Sequence, residues 1–404
     1  MPFFRKSGLR NYWLIILFIT KIAAGCAYGW FYSLPANVQT SDSWNYFEYS
    51  KTETDWLLKD PVAFVKDLFT YNHDSTGNLF IAKNSYWNQL KSNIIIKILA
   101  IVNVVTFKNY YANVIFFNFF FFFGCIAFYR LLTEKITANI LVRVAFVFCI
   151  PSFLFWCSGL HKDGFIFMAV ALCAFYFNEW MKRKRIFFEG IFIFIVCLFV
   201  LFSMRNFIVF LLLPALLTWY LCNRYPKRQM ALTVSIYAVA IILFFVVGLI
   251  NNAVDFPAYI INKQNEFKAL GGNSQLALPK LEPDLLSFIR FLPYAIDIVF
   301  LRPHVSEATS IIYWPYIVEN IFIYALIGYS VVKLYVKRKK ELFSSSTKAF
   351  LIFCFVFAVS NFLLMGYTVT LTGAIVRYKA FVLPFVIAPL SYFVKVDKNR
   401  TLPG

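Results

Sequence analysis

The 404-residue chain is 60% hydrophobic, contains 50 phenylalanines and carries only 15% charged residues, with a formal charge of +19. Soluble domains carry roughly a quarter charged residues, so the composition excludes an ordinary soluble fold and points to lipid as the solvent. The basic excess falls in short loops between apolar runs, not on one soluble basic face, which argues against a nucleic-acid partner.

Apolar runs near 20 residues can cross a hydrocarbon core about 30 Å thick, and a spanning backbone must satisfy its own polar groups, so these runs read as helices. The first, near 12–33, exceeds signal-peptide length and has no clear small-residue cleavage site, so it is expected to be a retained span. Further spans are expected near 111–130, 140–158, 164–180, 187–204, 206–222, 230–250, 311–335, 347–366 and 375–394. The fold class is therefore all-α, a polytopic transmembrane helical bundle of about ten spans, with eleven or twelve as alternatives. Residues 1–404 form one transmembrane domain, with no soluble domain at either end. Asn93–Phe107 is apolar but short and carries Lys97. It reads as an eleventh span or as an interfacial helix.

Charge separates these options. With 93–107 not crossing, one side of the membrane holds 22 of the Lys and Arg residues against 5 Asp and Glu, and the other holds 16 against 15. That is the positive-inside pattern, and it collapses if 93–107 crosses alone. Ten spans with both termini cytoplasmic are expected. Two long extracytoplasmic loops then remain, about 35–110 and 251–310. In the first, Val62–Phe69 and Tyr86–Leu99 have amphipathic spacing suited to the interface. The second carries a loop-like Gly271–Ser274 and a helix over Leu285–Phe300. Long ordered loops are usually functional.

All eight cysteines fall in expected spans, with no C-x-x-C, so they read as small core residues rather than disulfides or zinc ligands. The absence of a phosphate-cradling glycine loop argues against an ATPase, and no internal repeat is visible.

The unusual polar residues share the extracytoplasmic face. Asp42 follows the first span in Ser-Asp-Ser-Trp-Asn-Tyr. His161, Lys162 and Asp163 fill a tight turn between two apolar runs, and Arg205 sits between two others. Arg302, His304 and Glu307 precede Tyr313–Pro315, Glu319 lies in the outer third of the next span, and Arg377 and Lys379 open the last one. Each has a plainer reading. Asp42 could cap an interfacial helix, and Asp163 could neutralise Lys162 or cap the helix that follows. Lys162, Arg205 and Arg377 could anchor span ends at lipid phosphates. His304 and Glu307 could be ordinary loop polarity, and His73 with Asp74 a solvated pair. Glu319 could serve proton-coupled transport, and Phe116–Phe123 lipid-facing bulk. Yet ionisable groups at membrane depth are costly and usually face a protein or water-filled interior. Clustered Lys and Arg suit a phosphate, a neighbouring carboxylate suits a general base, and aromatics suit sugar rings and an isoprenoid tail. Together they predict sugar transfer from a lipid-linked phosphate donor.

The D-x-x-x-Y of Asp42 and Tyr46 after the first span, with a long first external loop, resembles the C-type membrane glycosyltransferases. The turn from Trp156 to Asp163 and the late Arg377-Tyr378-Lys379 resemble O-antigen-polymerase-like proteins of bacterial surface-polysaccharide assembly. The resemblance implies a polyprenyl-phosphate sugar donor, a glycan, lipid or protein acceptor, a place in the bacterial inner membrane, and Asp42 as base or as ligand to a divalent Mg or Mn ion. It departs in one respect, since many C-type enzymes have a second acidic motif and a soluble C-terminal domain. A site of Asp42, Asp163 and His161 as catalytic groups, with Lys162, Arg205, Arg377, Lys379, Arg302 and His304 on substrate or phosphate, is the resulting expectation. A polysaccharide polymerase or ligase is the second reading, and a lipid-linked-glycan transporter or flippase the third. A non-catalytic assembly scaffold is the plainest.

Overall fold

In the computed structural model, residues 1–35, 37, 41–69, 86–184, 187–251, 254–271, 274–308, 311–336 and 343–394 are described. In chain order the helices are α1 (Pro2–Arg5), α2 (Asn11–Ser33), α3 (Asp42–Lys59), α4 (Pro61–Lys66), α5 (Tyr86–Thr106) and α6 (Tyr110–Lys135). They continue with α7 (Ile140–Phe148), α8 (Pro151–Trp156), α9 (Lys162–Arg183), α10 (Phe188–Arg224), α11 (Gln229–Ile250) and α12 (Phe256–Leu270). Last come α13 (Leu285–Ile296), α14 (Trp314–Val336), α15 (Ser345–Thr368), α16 (Thr372–Ala380) and α17 (Leu383–Leu390). No strand occurs among the described residues, so the protein is an all-α polytopic membrane bundle.

Short polar residues start many of these helices. Ser41 accepts from Trp44 N, Asn109 from Ala112 N, Asp255 from Ala258 N and Ser344 from Thr347 N, each meeting an amide that the first turn leaves unpaired.

Among the described residues seven helices are long and apolar enough to cross a bilayer: α2, α6, α9, α10, α11, α14 and α15. An eighth results if α16 and α17, bent by 58°, count as one span. The count differs from the expected ten in two places, and in the second the two expected runs keep their extents as the arms of one bent helix. The run 140–158 is not one helix, because Pro151 has no amide to continue the ladder after Phe148. Its two pieces, α7 and α8, are each too short to span. The runs 187–204 and 206–222 join in the 37-residue α10, whose backbone is non-helical only at Arg205, with φ −150° and ψ 84°.

That one residue folds α10 back. Phe202 and Phe210 have ring centroids 6.3 Å apart, where eight residues of straight helix would rise about 12 Å. Both ends return to the same region of α9, with Phe187 against Tyr176 and Trp219 against Phe177. Each arm is near 17–19 residues, or about 25–29 Å.

The segment 93–107 lies within α5, which packs along the charged helix α3. Lys97 is buried there, 2.7 Å from Glu53 and 2.9 Å from Asp67. A helix with such a face belongs to the cap over the first outer loop. Phe116–Phe123 is not simply lipid-facing bulk, since Phe117, Phe121 and Phe122 are buried while Phe116 and Phe120 are exposed.

The basic loops meet at one end of the bundle, where Lys135 bonds Ser346 and Gln229 bonds the Ser345 carbonyl. Helices α6 and α9 pack closely along a shared seam. A Cβ on Gly124 would lie 2.4 Å from Met168 Cα, so only glycine allows these backbones to approach as they do. Gly124→Val is therefore expected to destabilise the protein by about 1–3 kcal/mol, read as a lowered melting temperature in detergent against an exposed control such as Val239→Ala.

Candidate functional site

The centre of the site is built on broken helices. After α8 ends at Trp156, the chain turns through 157–161 before α9 begins, and this turn is held from inside the bundle. Lys21, buried in α2, donates to Cys157 O at 2.7 Å and Ser158 Oγ at 3.0 Å, and Asn118 donates to Ser158 O at 2.8 Å. Gly25 lies so close that a Cβ would stand 2.4 Å from that same carbonyl. Lys21, a charge inside the first span, thus holds the Cys157 carbonyl, and Asn118 the Ser158 carbonyl, where α8 stops. At the other end of α8, Glu319 Oε2 accepts from Ser152 N and Ser152 Oγ, both at 2.8 Å. Glu319 is thereby committed to a helix N-terminus, where a negative charge is favourable.

The held turn places Asp163 in the protein interior with no solvent exposure. Arg205 Nη2 lies 2.7 Å from Oδ1, off the hydrogen-bond line, and Arg377 Nε donates to Oδ2 at 3.0 Å. His161 Nδ1 is 3.0 Å from the same Oδ2 and 3.3 Å from the Asp163 amide nitrogen. One ring nitrogen cannot donate and accept together. The shorter, charge-assisted contact to the carboxylate decides the tautomer, so Nδ1 carries the hydrogen. One buried carboxylate therefore joins the start of α9, the bend of α10 and α16.

Arg377 has a second partner. Its Nη1 donates to Asp42 Oδ2 at 2.8 Å, so one guanidinium bridges a buried aspartate and one whose side chain is 50% exposed. Asp42 is not the cap of α3, because Ser41 fills that position. Trp44 anchors the first turn by stacking on Tyr110 at 4.1 Å and donating from Nε1 to Gly29 O. Burial alone would push the Asp42 carboxyl up, but the Arg377 charge and hydrogen bond, helped by Lys162, outweigh this and hold it below the usual carboxylate range.

Asp42, Lys162, Arg205 and Arg377 line one cavity of about 230 Å³. Aromatic faces steady its cations, with Arg205 4.0 Å over Tyr378 and Lys162 5.4 Å over Tyr46. Further wall comes from α15 through Leu364, Met365 and Thr368 and from α12 through Tyr259, Lys263, Glu266 and Phe267. The α12 residues are those of the second long loop that the motifs did not single out, and the Asp255 cap before Pro257 was the one local signal. Tertiary contacts bring them in. Gln264 donates to Tyr367 O, and Ser274–Leu276 exchanges backbone bonds with Thr370–Thr372, just before α16. Lys263 is matched by Glu266 at 2.5 Å. On the opposite wall three cations face Asp42 and the buried Asp163, a balance that favours an anion. Phe207, Tyr259 and Leu364 also line an adjoining apolar groove with Phe210, Phe244 and Phe256.

Other expected site residues lie elsewhere. Asp163 and His161 are sealed behind the cavity wall and position the arginines without touching a ligand. Lys379 is buried and reaches Asn320 Oδ1 at 3.4 Å. Arg302 and His304 form a separate cluster. Arg302 binds Asp297 at 2.8 Å and also Glu307, and His304 Nε2 is 3.1 Å from Asp297. His73 lies outside the described residues. Among the described residues no three His, Cys, Asp or Glu side chains converge, and Asp42 is held by Arg377, so these residues build no cation cage of their own. No family model, curated protein or solved structure matches the chain.

Asp163→Asn would leave the buried Arg205 guanidinium without a counter-charge and Arg377 with Asp42 alone, and is expected to destabilise the fold by about 3–5 kcal/mol. Asp42→Asn should shift stability by about 1 kcal/mol or less. Thermal melts of both variants in one detergent check this, and equal melting temperatures would contradict the placement.

Proposed function

We propose that the chain is a membrane glycosyltransferase that moves a sugar from a polyprenyl-phosphate-linked donor to an acceptor hydroxyl, on the side of the membrane away from the basic loops. The observation that carries this reading is the junction of a cationic cavity, with one half-exposed carboxylate, and an apolar groove sharing Phe207, Tyr259 and Leu364. A ligand with an anionic head and a greasy tail matches that pair of surfaces, and a lipid-linked donor brings its own leaving group. The positive-inside rule makes the basic end cytoplasmic, in keeping with a bacterial inner-membrane protein of surface-glycan assembly.

In this mechanism Asp42 takes the proton of the acceptor hydroxyl. The acceptor oxygen bonds to the anomeric carbon, and the carbon–oxygen bond to the lipid phosphate breaks with its electron pair on the phosphate. Lys162, Arg205 and Arg377 face that growing charge, and fixed charge aimed at the transition state is usually the largest catalytic contribution. Asp163 and His161 keep the two guanidiniums in place.

The Arg377 bridge adds a condition. Clamped at 2.8 Å, Asp42 is a weak base. A donor phosphate drawing Arg377 toward itself loosens the clamp, and Asp42 then regains basicity. A carboxyl whose pKa is depressed in the folded protein stays ionised until the pH falls through that lowered value. The acid limb of kcat/KM, which reports the free enzyme, is therefore expected below the ordinary carboxylate range, and the limb of kcat at a higher pH than that of kcat/KM. Coincident limbs would remove this exchange step.

The first test is transfer from a polyprenyl-phosphate sugar by purified variants. Asp42→Asn is expected to lose about 10²–10⁴-fold and Arg377→Gln about 10²–10³-fold, both with folded protein. The clamp on Asp42 also favours a second reading, a polymerase or ligase of lipid-linked glycan in which the arginines dominate. Full activity of Asp42→Asn with loss at Arg205→Gln and Arg377→Gln would select it.

A further inference from the structure

At the opposite end of the bundle from this cavity, among the basic loops, a second cavity of about 570 Å³ opens between the N-terminal segment, α6, α9 and the first arm of α10. Its walls include Lys6, Arg130, Glu179, Arg183 and Glu189. The Arg130 guanidinium lies 4.9 Å from the Phe3 ring and 4.5 Å from the Phe175 ring. Held by ring faces, a guanidinium keeps its N–H edge for an acceptor in its own plane. Among the described residues no hydrogen bond or ion pair occupies that edge. Two of the nearby acids have basic partners of their own, Glu179 with Arg183 at 2.7 Å and Glu134 with Lys182 at 3.1 Å, which leaves Arg130 and Lys6 against Glu189 in the wall.

The rim explains what else the ligand must be. Phe188 is 83% exposed, and Phe192, Ile195 and Phe199 continue an exposed apolar strip along the same face of α10, following the i, i+4, i+7, i+11 spacing of one helix side. A phosphate site that opens onto such a strip at the end of a spanning helix has the shape of a lipid, with headgroup in the cavity and acyl chain along the helix. Basic pockets between spans on the cytoplasmic side bind anionic headgroups in this manner.

We propose that this cavity is a binding site for the phosphate of an anionic membrane lipid, with Arg130 and Lys6 on the phosphate and the Phe188–Phe199 strip along the acyl chain. It is independent of the transfer reaction proposed for the other end. Native mass spectrometry of the full-length protein in detergent tests it, with phosphatidylglycerol, phosphatidylcholine and inorganic phosphate as separate probes. Phosphatidylglycerol adducts should exceed phosphatidylcholine adducts and fall about fivefold in Arg130→Gln, and by a similar factor in Lys6→Gln. Lys227→Gln, a basic-end residue outside the cavity wall, should change nothing. Equal retention of both lipids, or full phosphatidylglycerol binding in the Lys6 and Arg130 variants, overturns the proposal. Displacement of the lipid by millimolar inorganic phosphate overturns the lipid as occupant. Should Arg130→Gln fail to fold, Lys6→Gln on the exposed wall carries the same decision.

Discussion

The carboxylate of Asp163 is the interaction on which the candidate site depends. Enclosed without solvent, it has Arg205 at 2.7 Å, Arg377 at 3.0 Å and His161 at 3.0 Å. A lone ion at that depth would be prohibitively costly, and the buried Arg205 guanidinium without it would be costly too, whereas Arg377 keeps Asp42 as a second partner. The charges therefore stabilise one another only when the start of α9, the bend of α10 and α16 are together. Ion pairing of this kind contributes little net energy compared with apolar packing of the same volume. Its structural effect is to tie the start of α9, the bend of α10 and α16 to one carboxylate.

Broken helices make that meeting possible. A bundle of unbroken spans would keep its backbone polar groups to itself and present only side chains. Here α8 stops early, α10 bends at a single residue, and the last span is split between α16 and α17. Each break frees backbone groups that must find partners away from water. Lys21 and Asn118 serve the carbonyls after α8, Glu319 serves the amides before it, and the backbone exchange of Ser274–Leu276 with Thr370–Thr372 steadies the approach to α16. These buried polar residues have structural work, which accounts for Lys21 and Glu319 without transport chemistry.

The arrangement also separates two kinds of cation. Arg377 is shared between a sealed carboxylate and an accessible one, so a ligand can compete for its outer edge while the inner edge stays committed. Arg205 is stacked on Tyr378 and pinned by Asp163. Arg302 and His304, in contrast, pair with Asp297 and Glu307 in a cluster of their own, outside the cavity wall. Residue type alone does not distinguish these cases, because a loop arginine and a cavity arginine look alike until their partners are known.

Composition by itself determined the solvent, the helical class and the segregation of basic loops to one end, because hydrocarbon imposes length, polarity and backbone satisfaction on every span. It also marked Asp42, Lys162, Arg205 and Arg377 as charges at span ends that orientation does not require. Tertiary structure alone decided that these four line one cavity, that Asp163 and His161 stand behind its wall, and that Tyr259, Lys263 and Glu266 complete it from a distant loop. It decided too that residues 140–158 form two short helices, whereas the break at Arg205 was already legible as a charge between two apolar runs. The physical reason is common to all of these. Hydropathy is a local property summed along the chain, whereas the pairing of buried charges and the capping of broken helices depend on groups brought close by folding, with up to 335 residues between Asp42 and Arg377.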